Sequence, residues 1–135
     1  IWEMGIQNIL FVIQQLKNRQ LNLDYKNLIL IGHSIGGDMI MLFAREHPEL
    51  ISKVISLDNC RMPFPRTRKP RIFSLRSSDQ HADPGVLPTL KEQERYKIHI
   101  VQLKNTVHND MGDNGTEMQK QEINSYIIRF LEKGK

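Results

Sequence analysis

Residues 28–40 read LILIGHSIGGDMI, and this stretch decides the fold. Leu28–Ile31 is a short continuous apolar run, the pattern of a strand buried on both faces. It ends at Gly32-His33-Ser34-Ile35-Gly36, a G-x-S-x-G pattern, and a second apolar stretch follows. Such a pattern turns a strand abruptly into a helix, with the central residue in a strained backbone conformation. Side chains two before and two after it would collide, so glycine is expected at both places. The turn lifts the Ser34 hydroxyl clear of the sheet. The N–H of Ile35, at the helix N-terminus, then points to where an oxyanion would develop.

The flanking sequence supplies the rest of an α/β pattern. Before the turn, Trp2, Ile6, Ile9, Leu10, Ile13 and Leu16 fall at i, i+3, i+4, i+7 spacing and predict an amphipathic helix. After it, Asp38–His47 reads as a helix stopped by Pro48. Val54–Leu57, Arg71–Leu75 and Ile98–Leu103 read as further strands. Thr89 and Glu92 form a capping-box pair for a short helix through Tyr96. Thr116 and Gln119 repeat the pair before a last helix, whose apolar face is Met118, Ile123, Tyr126, Ile127, Phe130 and Leu131. Strands alternating with helices predict a parallel sheet of about four strands flanked by helices, with right-handed crossovers.

Composition narrows the function classes. The chain has 135 residues, 39% hydrophobic and 25% charged, as expected of a single globular domain over 1–135. No apolar run approaches the ~20 residues of a membrane span, so no membrane partner is expected. The start lacks the basic region and cleavage site of a signal peptide, and a cytoplasmic location is favoured. The chain does not begin with Met, so it is expected to start inside something larger or to follow a cleavage. One cysteine, Cys60, allows no internal disulfide. The net charge of +4 comes without an interleaved aromatic and basic motif, so nucleic acid is not an expected partner. His108, Asp110 and Asp113 lack the spaced ligands of a structural zinc site, and neither a metal nor another cofactor is expected.

The GHSIGG turn and the segment AREHPELISKVISLD resemble the α/β-hydrolase family, and the resemblance covers nearly the whole chain. It implies the C-terminal part of that fold, beginning at the helix before the nucleophile strand. It also implies a triad in the chain order serine, acid, histidine. Ser34 takes the place of the nucleophile. Asp79, in the loop after the third strand, is the first choice as acid, with Asp83 as the rival. His108 falls in the loop after the fourth strand, where the family places its base. His33, inside the turn, reads as a packing residue.

The resemblance leads to a serine hydrolase that cleaves a small ester-like substrate through an acyl-enzyme. A non-catalytic hydrolase-fold module that binds a ligand or a protein is the alternative. The connection DNCRMPFPRTRKP is too short for a lid, so the cleft should be open. Its arginines read either as a solvated basic loop or as substrate-binding groups, and Arg66 and Arg68 are the candidates for an anionic substrate. The earlier strands of the family, and the second oxyanion donor that follows one of them, have no counterpart here. The domain is therefore expected to be incomplete at its N-terminus, with a missing segment or a second chain completing the sheet. Without it the nucleophile strand would be an apolar edge.

Overall fold

The computed structural model describes residues 1–133. The order is α1 (Trp2–Asn18), β1 (Leu28–His33), α2 (Ile35–Glu46), β2 (Ile51–Leu57), β3 (Arg71–Arg76), α3 (Leu90–Tyr96), β4 (His99–Gln102) and α4 (Glu117–Glu132), with short 3-10 turns at Pro48–Leu50 and His108–Asp110. The four strands form one sheet in the order β1-β2-β3-β4, and every pairing is parallel. Register runs straight across it: Ile31 lies beside Ile55, which lies beside Phe73, which lies beside His99.

Side chains alternate between the two faces of the sheet, as a period of two requires. Val54 and Ile72 join Ile6, Ile40, Met41 and Phe43 in the core under α1 and α2. Ile55, Leu57, Phe73 and Leu75 join Ile123 and Phe130 in the core under α4. The α1 stripe packs as its spacing predicts as far as Ile13, with Ile6 buried and Trp2, Ile9, Leu10 and Ile13 against it, while Leu16 at the end of the stripe lies outside this core. Both predicted capping boxes form, at Thr89 with Glu92 and at Thr116 with Gln119.

β1 departs from the expectation of a strand buried on both faces. Leu28 and Leu30 pack on the α1–α2 core. Ile29 and Ile31, on the other face, are 43% and 50% exposed. The core under α4 is built on β2 and β3 and does not extend beneath β1. β1 is also an edge of the sheet, as the sequence suggested.

The turn after β1 is as tight as the motif requires. Helix α2 begins at Ile35 directly after Ser34, earlier than Asp38. Ser34 has φ 55° and ψ −120°, a conformation that side-chain-bearing residues rarely adopt. A Cβ on Gly32 would lie 2.5 Å from the Gly36 carbonyl oxygen. Gly36 corrects the expectation that both flanking glycines are needed for room, since a Cβ there meets nothing within 4 Å. The position that lacks space is the next one, Gly37. Its Cβ would come within 2.9 Å of both Asn59 Cβ and Ser56 Oγ at the end of β2.

Gly36→Ala is therefore expected to be neutral or to stabilise by up to about 1 kcal/mol, through lost freedom of the unfolded chain. Gly32→Ala should melt well below the parent. Paired thermal melts check this, and equal losses for the two variants would contradict the turn geometry.

Candidate active site

Main-chain hydrogen bonds continue past the strand ends and line up the loops that follow. The Ser34 N–H donates to the Leu57 carbonyl at 2.9 Å, and the Asp58 N–H to the Leu75 carbonyl at 2.9 Å. The Ser78 N–H donates to the Thr106 carbonyl at 2.8 Å. These bonds set the elbow, the residue after β2 and the loops after β3 and β4 side by side. This is the carboxyl end of the sheet, where open α/β sheets bind ligands.

Ser34 and His108 meet there. His108 Nε2 lies 3.0 Å from Ser34 Oγ. The carboxylate at the other ring nitrogen belongs to Asp58, with Oδ2 2.5 Å from Nδ1. A carboxylate accepts, so Nδ1 carries the hydrogen and Nε2 is left to accept from the hydroxyl. Asp58 has no solvent exposure. Its second oxygen, Oδ1, accepts from the Ser77 N–H at 2.9 Å and faces the buried Arg76 guanidinium at 3.2 Å. Arg76 also donates to the Asn59 carbonyl at 2.6 Å. Asp58 is one of four non-glycine residues with positive φ among the described residues, at 62°, and this bend sits immediately after β2.

A second buried carboxylate shapes the loop beyond it. Asp38 Oδ1 accepts from the N–H groups of Arg61 and Met62, at 3.0 and 2.8 Å. Asn59 donates to the Met62 carbonyl at 3.0 Å. The loop is thereby folded back over the start of α2. A cavity of about 520 Å³ opens beside Ser34, with Trp2, Ile35, Cys60, Arg61 and Gln80 among its walls. Burial pushes the Cys60 thiol up from its ordinary value and keeps it protonated.

The comparisons with known proteins agree with this architecture. The family model described as the alpha/beta hydrolase fold matches residues 8–83. The chain belongs to the α/β-hydrolase family. Over 78 residues it is 34% identical to "Ethanol acetyltransferase 1" of Eremothecium cymbalariae, covering 58% of this chain and 22% of that protein. A solved structure, a predicted CIB-like hydrolase from Thermoplasma acidophilum, superposes with a TM-score of 0.54 at 12% identity, covering 93% of this chain and 59% of that one. This chain thus spans only part of the length of each.

Within this α/β-hydrolase site, several expected roles fall elsewhere. Asp79 does not reach the His108 ring. Its Oδ1 accepts the His108 main-chain N–H at 2.7 Å, which holds its carboxyl below the usual range. Asp83 is exposed, and its own N–H donates to the Cys60 carbonyl at 2.8 Å. Sequence order pointed to the loop after β3, whereas the carboxylate at the ring stands one strand earlier. Arg76 was the available signal: a cation inside an apolar strand demands a carboxylate nearby.

Arg66 and Arg68 are likewise away from the Ser34 cavity. Arg66 donates to the carbonyls of Phe64, Gly85, Val86 and Leu87 and pairs with Glu92 at 3.5 Å, which ties the β2–β3 connection to the next loop. Arg68 donates to the Arg95 carbonyl at 2.9 Å, at the end of α3. The arginine at the cavity is Arg61. His33 packs, as its position suggested, with its ring centroid 4.7 Å from that of His108.

Arg76 and Asp58 are both buried, so removing one strands the other. Arg76→Met is expected to cost about 3–5 kcal/mol in urea unfolding. The double variant Asp58→Asn, Arg76→Met should lose less than the two single changes summed, and strict additivity would show that the pair is not coupled.

Proposed function

We propose that this chain carries the reaction centre of a serine hydrolase acting on a small ester-like substrate. The observation that carries the reading is a hydroxyl at a strained strand–helix turn, 3.0 Å from His108 Nε2, with a buried carboxylate on Nδ1. Three segments far apart in the chain converge on one proton path. An inert serine at a tight turn would need neither partner.

In this reading Ser34 Oγ attacks the acyl carbonyl carbon while its proton passes to His108 Nε2. Asp58 holds the ring in the right tautomer and stabilises the imidazolium. The Ile35 N–H, at the N-terminus of α2, donates to the oxyanion. His108 returns its proton to the leaving group, and an acyl-Ser34 ester remains. A water, deprotonated by His108, then attacks that ester and releases the acid. The likeness to an ethanol acetyltransferase supports a variant of this last step, with an alcohol as the acyl acceptor. The site stays the same and only the incoming hydroxyl differs.

The exposed apolar residues Ile29 and Ile31 on edge strand β1 support a further part of the reading. An additional strand, from more of the same protein or from a second chain, pairs with β1 and brings the other oxyanion donor.

A fluorophosphonate probe tests the reading in the full protein. Covalent labelling of Ser34, lost in Ser34→Ala, is the expected result. Asp58→Asn should lower kcat by about 10⁴-fold, the loss typical when the base adopts the wrong tautomer, and Asp79→Asn should not. A probe that binds without reacting would favour a ligand-binding module instead.

A further inference from the structure

All four polar atoms of His108 are held, each by a different residue. The ring nitrogens face Asp58 and Ser34. The main-chain N–H donates to Asp79 Oδ1 at 2.7 Å. The carbonyl oxygen accepts from His33 Nε2 at 3.1 Å and from the Met111 N–H at 3.3 Å. A carbonyl can only accept, so His33 carries its hydrogen on Nε2. The loop bearing His108 is also tied by the Ser78 N–H to the Thr106 carbonyl at 2.8 Å and by Gln119 Nε2 to the Asn105 carbonyl at 2.9 Å, but neither bond holds His108 itself. Lys104, Asn105, Val107 and Asn109 are exposed, and only Thr106 and Met111 are buried around the base.

We propose that Asp79 and His33 are positioning residues that clamp the main chain of His108 from both sides and so set the Ser34–His108 distance. The proposal rests on the hydrolase reading and goes beyond it. With the main chain fixed, only two side-chain torsions remain to place the ring. His33 is the residue before Ser34, so its bond ties the nucleophile's own turn to the loop of the base. Asp79 ties that loop to the end of β3, beside Ser77, whose N–H holds the Asp58 carboxylate. Nucleophile, acid and base are therefore cross-linked through main chain as well as through the proton path. A displacement of about 1 Å in such an arrangement can cost 10²-fold in rate.

The clamp role fits the chemistry of both residues. Burial and the neighbouring His108 ring pull His33 below its ordinary value, so it stays neutral beside a base that must become cationic. Asp79 needs only an acceptor oxygen, which an asparagine also offers.

In the full protein, Asp79→Ala is expected to slow fluorophosphonate labelling of Ser34 by about 10–100-fold, with KM for esters unchanged. Asp79→Asn keeps the acceptor and should label within about threefold of the parent. His33→Phe keeps a ring against His108 but loses the donor, and should also slow labelling. A second readout is the Nδ1 proton of His108 in a histidine-labelled NMR sample. It should exchange faster in Asp79→Ala and persist in Asp79→Asn. Parental labelling by Asp79→Ala overturns the clamp. So does a loss in Asp79→Asn as large as in Asp79→Ala, which would assign the effect to charge. If the parent itself does not label, the hydrolase reading fails. The proton exchange then decides the clamp alone, and an unchanged rate in Asp79→Ala overturns it.

Discussion

A carboxylate removed from water must have both oxygens occupied, and Asp58 meets that demand with groups from two other segments. One oxygen takes the Ser77 N–H and Arg76 from the end of β3, and the other takes His108 from the loop after β4. Because Asp58 sits on a bend directly after β2, these bonds join the ends of three strands at one point. His108 is thereby turned so that its free ring nitrogen meets Ser34. The same burial that makes Asp58 costly to strip of partners makes it effective beside a ring that gains charge.

The parallel sheet makes this convergence possible. Every strand delivers its following loop to the same edge, and the main-chain bonds past the strand ends keep those loops in register. The elbow adds height: a positive φ at Ser34, with Gly32 below it, lifts the hydroxyl to the level of the ring. Gly37 performs a separate task, letting α2 lie against Ser56 and Asn59 at the end of β2. Asp38, one residue later, folds the 58–62 loop over the helix start and forms one wall of the cavity.

Much of this was legible because its causes are local. A capping box acts within three residues, and both pairs, at Thr89 and Thr116, form as spaced. The α1 stripe and the alternation along β2 and β3 follow from backbone periodicity alone. The β1 faces were misread because a continuous apolar run does not say how far a helix reaches across the sheet. The arginines were misread for a related reason. A charged loop looks the same in sequence whether its side chains point to a ligand or, like Arg66, hold one carbonyl of their own loop and three of the next.

The sequence by itself determined the strand–turn–helix at Ser34, the α/β alternation and the loop that carries His108. The turn follows from local steric limits, and the alternation and the position of the loop follow from the spacing of apolar residues along the chain. Only the tertiary structure decided which carboxylate meets His108. Asp58, Asp79 and Asp83 all follow strands or lie in loops at the same edge, so position in the chain cannot rank them. The ranking comes from lateral strand order, the register that sets Arg76 beside Asp58, and the desolvation that Asp58 undergoes while Asp79 stays at the surface.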